Sequence, residues 1–149
     1  MIKVSEILST VFYIGKLPMA PGTWCSFIAF LSWYFLSSQI EGVFNLYASL
    51  VLFFVGVAVT TIYSESIVEE DPPEIVIDEW VGQWLAFSML PVTFQTGLIG
   101  FIAFRFFDIL KPGPVKRMER LPNGLGVMAD DIMAGILAYF IIIIYYLLF

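Results

Sequence analysis

Residues 124–149 read GLGVMADDIMAGILAYFIIIIYYLLF, and after Asp131 the segment carries no further charge. From Asp131 to Phe149 it approaches the length of about 20 apolar residues that a hydrocarbon core demands. The run Ile141–Ile144 would suit a strand in a soluble protein. In lipid, however, an open strand leaves backbone polar groups unsatisfied, and a barrel needs many alternating segments that this sequence does not contain. The segment is therefore read as a membrane-crossing helix. Two adjacent carboxylates, Asp130 and Asp131, stand at its mouth, where charge is costly and needs a reason.

The rest of the chain agrees with a membrane setting. Its 149 residues are 60% hydrophobic and 13% charged, with a mean hydropathy of +0.90, well outside the range of soluble domains. A soluble alternative would have to be an unusually greasy helical domain. Candidate spans run over about 23–38, 43–63 and 131–149. Two shorter helical stretches, 75–90 and 94–110, are broken at LPVT, where Pro91 removes a backbone donor and favours a turn. The expected fold is all-α: a multi-pass helical bundle of three longer spans plus a short helical hairpin. No repeat, low-complexity tract or flexible linker divides it, so residues 1–149 are taken as a single domain. The N-terminus has no basic region followed by an apolar core and a small-residue cleavage site, and is not read as a removable signal. Nothing in the pattern specifies an oligomer or a nucleic-acid partner.

The sequence has one cysteine, Cys25, and no histidine. This excludes an intrachain disulfide and removes the commonest general base and transition-metal ligand. Ionic chemistry must then rest on carboxylates, Lys and Arg. Glu65, Glu69, Glu70, Asp71, Glu74, Asp78 and Glu79 fall in one stretch without a base, whereas Arg105, Lys111, Lys116, Arg117 and Arg120 dominate another. With a cytoplasmic N-terminus and five crossings, all seven Lys and Arg fall on the inner side, as the positive-inside rule expects. Every carboxylate except Glu41, in the outer 39–42 connection, falls there too. Acidic residues hardly influence orientation, so their gathering requires another cause.

Four polar stretches converge on that face: PMAPGTWCS (18–26), IVIDEWVGQW (75–84), FRFFDILKPGP (104–114) and GLGVMADD (124–131). Taken singly, Asp78 and Glu79 or Asp130 and Asp131 read as helix-start residues favoured by the helix dipole. Arg105, Asp108 and Lys111, at i, i+3 and i+6, read as a local ion-pair ladder. Together, the five carboxylates Asp78, Glu79, Asp108, Asp130 and Asp131 repel one another unless a cation intervenes. Mg²⁺ is such a cation, preferring carboxylates, waters and substrate phosphate. Arg105 and Lys111 would then bind phosphate oxygens. Turn geometry is expected from the glycines: positive φ at Gly124 or Gly126 in PNGLG, and Thr23 as an N-cap after Gly22 in APGT, with backbone donors free for an anion.

These four ordered motifs resemble the phosphatidylglycerophosphatase A family of small membrane phosphatases over nearly the whole chain. Asp78 and Glu79 match its acidic pair and Gly82 the glycine that follows. Arg105, Asp108, Lys111, Pro112 and Pro114 match R-x-x-D-x-x-K-P-x-P, and Asp130 and Asp131 match the acidic pair of the last motif. The chain departs from the pattern at Lys16, at Cys25 and at Asn123, where glycine is frequent but Asn tolerates a left-handed backbone.

The resemblance implies a multi-pass, Mg²⁺-dependent enzyme of the bacterial inner membrane. Its substrate would be phosphatidylglycerophosphate, converted at the cytoplasmic membrane edge to phosphatidylglycerol and phosphate. Two other functions compete with this one. Phosphatidyl transfer of the CDP-alcohol type requires D-G-x-x-A-R followed by G-x-x-x-D-x-x-x-D, which is not present. A divalent-cation binding or transport protein could gather ions on its acidic loop, but should also show polar groups near the middle of its long spans.

Overall fold

The computed structural model describes residues 1–37, 43–69 and 72–149. The described residues form seven α-helices and no strand: α1 (Ile2–Ser9), α2 (Pro21–Leu36), α3 (Val43–Ile67), α4 (Ile77–Ala86), α5 (Phe94–Leu110), α6 (Gly113–Met118) and α7 (Gly124–Leu148). A short 3₁₀ turn, Ile14–Lys16, lies between α1 and α2. The expected positions of Glu41, Glu70 and Asp71, and the 39–42 connection, lie outside the described residues.

α7 forms the axis of the bundle, and both α4 and α5 rest chiefly on it. Its buried positions Gly124, Met128, Asp131, Gly135, Ala138 and Ile142 recur at alternating steps of four and three, the spacing of one helix face. Small residues on that face let backbones approach closely. A Cβ on Gly135 would stand 2.4 Å from the Gly82 carbonyl oxygen, and one on Gly82 2.5 Å from the Asp131 carbonyl oxygen. The α4–α7 crossing is thus set by two glycines facing each other, and it carries Asp131 up against the start of α4.

Away from that crossing the core is aromatic. Trp33 of α2 stacks on Phe87 with ring centroids 4.2 Å apart, and the Trp84 indole donates to the Ala29 carbonyl at 3.1 Å. Gly97 and Gly100 of α5 leave room for the rings of Phe30 and Phe87.

The span expectation needs correction. Two described helices, α3 and α7, are long and apolar enough to cross a membrane, not three. α2 has 16 residues and ends at Leu36, which at 1.5 Å per residue gives about 24 Å against a core of about 30 Å. The stretch 75–90 is helical only over the 10 residues of α4, because the chain turns at Phe87–Ser88 and Met89 takes a positive φ of 59°. α5 keeps the expected bounds with 17 residues, but α4 and α5 do not pack as an isolated hairpin, since α7 lies against both.

Chain direction brings the starts of α2, α4 and α7 together with the ends of α3 and α5. Gly22 abuts Glu79, and Gly124 abuts Thr60 and Thr61, while Lys111 reaches Asp130. The segment after α1 props the same end: the Val76 N–H donates to the Ser9 carbonyl at 2.9 Å, and Gly15 packs on the Glu74 carbonyl.

Candidate active site

Asp78 and Glu79 lie in the first turn of α4, where the positive end of the helix dipole favours carboxylates. Neither is the capping residue: Val76 holds that position and makes no side-chain cap. Asp131 arrives from the inward stripe of α7, more than a turn inside the helix, so it is no cap either. The three residues bring one carboxylate oxygen each to within 4.8 Å of one another. Asp131 is 2% exposed, and its Oδ2, like Glu79 Oε2, is buried without a hydrogen-bond partner. Three carboxylates so close repel, and atoms left bare in the interior are costly. A hard divalent cation with oxygen ligands satisfies both conditions, so these residues fit Mg²⁺.

Arg105 borders the triad from α5. Its Nη1 lies 2.5 Å from Asp108 Oδ2 and 3.8 Å from Glu79 Oε1, and donates to Ser26 Oγ at 3.4 Å. Its Nε is buried and unpartnered. Asp108 lies outside that group of three and contacts Arg105 through its Oδ2. Gly22 makes this juxtaposition sterically feasible, since a Cβ there would fall 1.9 Å from Glu79 Oε1.

Asp130 is 4% exposed and belongs to a second pair. Its Oδ2 accepts from Lys111 Nζ at 2.8 Å, and its Oδ1 accepts from the Asp131 N–H at 3.0 Å. Lys111 also donates to Glu119 at 2.9 Å. Burial works against the Lys111 charge, but the hydrogen bonds to Asp130 and Glu119 outweigh it and raise its pKa above the ordinary lysine value. The ladder expected from Arg105 through Asp108 to Lys111 thus divides. Lys111 ends α5 with a left-handed backbone, φ 42°, which turns it away from the helix and toward α7.

The glycine and threonine expectations are corrected. No described glycine has a positive φ; Asn123 takes one instead, at 55°. Gly124 and Gly126 open α7, Gly22 lies in α2 and Gly82 in α4, so all four are close-packing residues of helices, not turn residues. Thr23 is not an N-cap, because α2 begins at Pro21 after Ala20. Its N–H returns to the Ala20 carbonyl at 3.0 Å and is unavailable to an anion.

Glu119, Ser26 and Gln83 escaped the sequence reading. Gln83 is fully buried with both amide atoms unpartnered, one turn beyond Glu79 on the same face of α4. That i+4 spacing was its sequence signal. Glu119 carried none, because its partner Lys111 is brought to it by the turn after α5.

Comparison with known proteins places this arrangement in a lineage. The family model for phosphatidylglycerophosphatase A matches residues 7–146. A Bacteroides thetaiotaomicron protein provisionally named phosphatidylinositol-3-phosphatase is 36% identical over 143 residues, 91% of this chain and 89% of its own. The phosphatidylglycerophosphatase A of Haemophilus influenzae is 34% identical over 139 residues, 92% of this chain and 85% of its own. That of Escherichia coli is 32% identical over 135 residues, 89% and 78% of the two chains. No solved structure matches. The chain belongs to the phosphatidylglycerophosphatase A family.

Proposed function

We propose that this protein is a membrane-embedded lipid phosphatase that hydrolyses the terminal phosphomonoester of phosphatidylglycerophosphate to phosphatidylglycerol and phosphate. Its site would lie at the cytoplasmic edge of the bacterial inner membrane. The observation that carries the reading is the approach of Asp78, Glu79 and Asp131 to within 4.8 Å at one end of an apolar bundle, flanked by Arg105 and Lys111. Family membership supplies the substrate class. Arg105 and Lys111 at the site, with Arg120 lining a neighbouring cavity, support the cytoplasmic side.

Asp78, Glu79 and Asp131 would hold Mg²⁺, which when bound neutralises phosphate charge and polarises the phosphoryl group. Arg105, oriented by Asp108, has its Nε free to donate to a phosphate oxygen. Lys111 adds a second cation that stays protonated across the working range of pH. A water oxygen attacks phosphorus with a carboxylate of the site accepting its proton. The bond from phosphorus to the glycerol oxygen breaks, and that oxygen leaves with the electron pair and takes up a proton. A route through an aspartyl-phosphate, with the carboxylate attacking first, uses the same residues. Quenching a reaction on terminally labelled lipid in acid separates the two, because only the second leaves label on the protein.

The deciding experiment uses purified protein in detergent. Phosphate release from phosphatidylglycerophosphate is expected with Mg²⁺ and should stop on chelation; failure to release phosphate with any divalent metal would sink the reading. The Bacteroides relative's name makes phosphatidylinositol 3-phosphate the second lipid to assay. Faster turnover of that lipid would reassign the substrate while keeping the chemistry.

A further inference from the structure

Among the described residues two side-chain amides are buried, those of Asn45 and Gln83. Asn45 donates to Ser37 Oγ at 2.9 Å. Gln83 is fully buried, and neither its Nε2 nor its Oε1 has a hydrogen-bond partner. A bare amide inside an apolar bundle is costly, and Leu or Met would fill the same space without that cost. Packing alone therefore does not account for Gln83.

Its place in α4 indicates what does. Glu79, Gln83 and Ala86 stand at i, i+4 and i+7 of the helix, which puts them on one stripe. The stripe begins at Glu79, which meets Gly22 of α2 and Arg105 of α5. It ends at Ala86, which packs with Ala103 and Phe104 of α5. Gln83 lies between the two, one turn below the carboxylates. Helical side chains lean toward the N-terminus of their helix, so its amide extends back toward Glu79, whose Oε2 is itself buried without a partner. A bare donor and a bare acceptor thus share one face at the spacing where side chains meet. The amide donates without carrying charge. It can orient a carboxylate and still leave the negative charge to a cation, as a Lys or Arg at the same position could not.

We propose that Gln83 is a positioning residue of the triad: its Nε2 donates to Glu79 Oε2, directly or across one water, and fixes the orientation in which Glu79 joins Asp78 and Asp131 around a divalent cation. The proposal rests on the metal-site part of the reading above and adds to it a residue that touches neither lipid nor cation. Hydrogen bonds to ligating side chains are worth roughly 10–100-fold in metal affinity or activity.

The test is Mn²⁺ binding to the full-length protein in detergent without lipid, followed by electron paramagnetic resonance, beside the Mg²⁺ dependence of hydrolysis. Gln83→Met and Gln83→Leu keep the volume and remove the donor. Both should keep or raise Tm, because apolar atoms replace a bare buried amide, and both should weaken Mn²⁺ binding about tenfold or more. The Mg²⁺ concentration for half-maximal hydrolysis should rise by the same factor, with the KM for lipid within about twofold of wild type at saturating Mg²⁺. In the Glu79→Gln background, Gln83→Met should weaken Mn²⁺ binding by less than about twofold further, the mark of a residue that acts through Glu79. Mn²⁺ affinity within about twofold of wild type in both Gln83 variants, or the full loss repeated in the Glu79→Gln background, overturns the proposal, as does a wild type that binds no Mn²⁺. A wild type that binds Mn²⁺ with the expected dependence on Gln83 but hydrolyses no phospholipid fails the phosphatase reading alone.

Discussion

The residues that converge here differ in what they can lose. Asp131→Asn and Glu79→Gln keep shape but remove a charge from the oxygen group that fits Mg²⁺. Each should lower phosphate release by about 100-fold or more while the purified protein stays folded by circular dichroism. Near-normal rates would return both residues to a structural role. Arg105→Lys keeps the charge but loses the guanidinium whose Nη1 meets both Asp108 and Ser26 and whose Nε is unpartnered, so a fall of roughly tenfold or more in kcat/KM is expected. Much of this was legible beforehand, because four polar motifs in a greasy chain need a common destination. The finer pairing was not. The ladder from Arg105 to Lys111 follows helix periodicity only as far as Leu110, and the left-handed backbone of Lys111 sends its ammonium to Asp130 and Glu119 instead.

Among the elements, the α4–α7 crossing positions the chemistry. Gly82→Ala or Gly135→Ala would drive a methyl group against backbone oxygen at 2.5 or 2.4 Å, and backbone cannot swing aside as a flexible side chain does. A loss of about 1–3 kcal/mol is expected, with activity falling further than stability because Asp131 moves relative to Asp78 and Glu79. Gly113→Ala is the control, since a Cβ there meets nothing within 4 Å and should change thermal stability little. Long helices announced themselves through unbroken apolar runs, but the ends of the short ones did not. α1 and α6, with 8 and 6 residues, bury too few side chains to imprint a period, and α4 stops before Pro91 because Met89 adopts a conformation that its side chain gives no hint of.

For the whole molecule, the placement of Arg105 and Lys111 at one end of the bundle predicts an orientation that can be measured. Cys25 is the only cysteine and is buried, so single introduced thiols report cleanly. In intact cells an impermeant maleimide should label Phe149→Cys, at the exposed end of α7, and should reach exposed Lys116→Cys only after lysis. The reverse pattern would place the site outside. The contact between the Val76 N–H and the Ser9 carbonyl carries a practical corollary. Ser9 thereby braces the backbone that leads into Asp78, so bulk attached ahead of α1 should lower activity although Ser26, which accepts from Arg105, lies beyond it. Affinity handles and fluorescent fusions therefore belong after Phe149, where α7 ends away from the chemistry. A trimmed N-terminus should behave like an active-site lesion, with turnover lost before the fold.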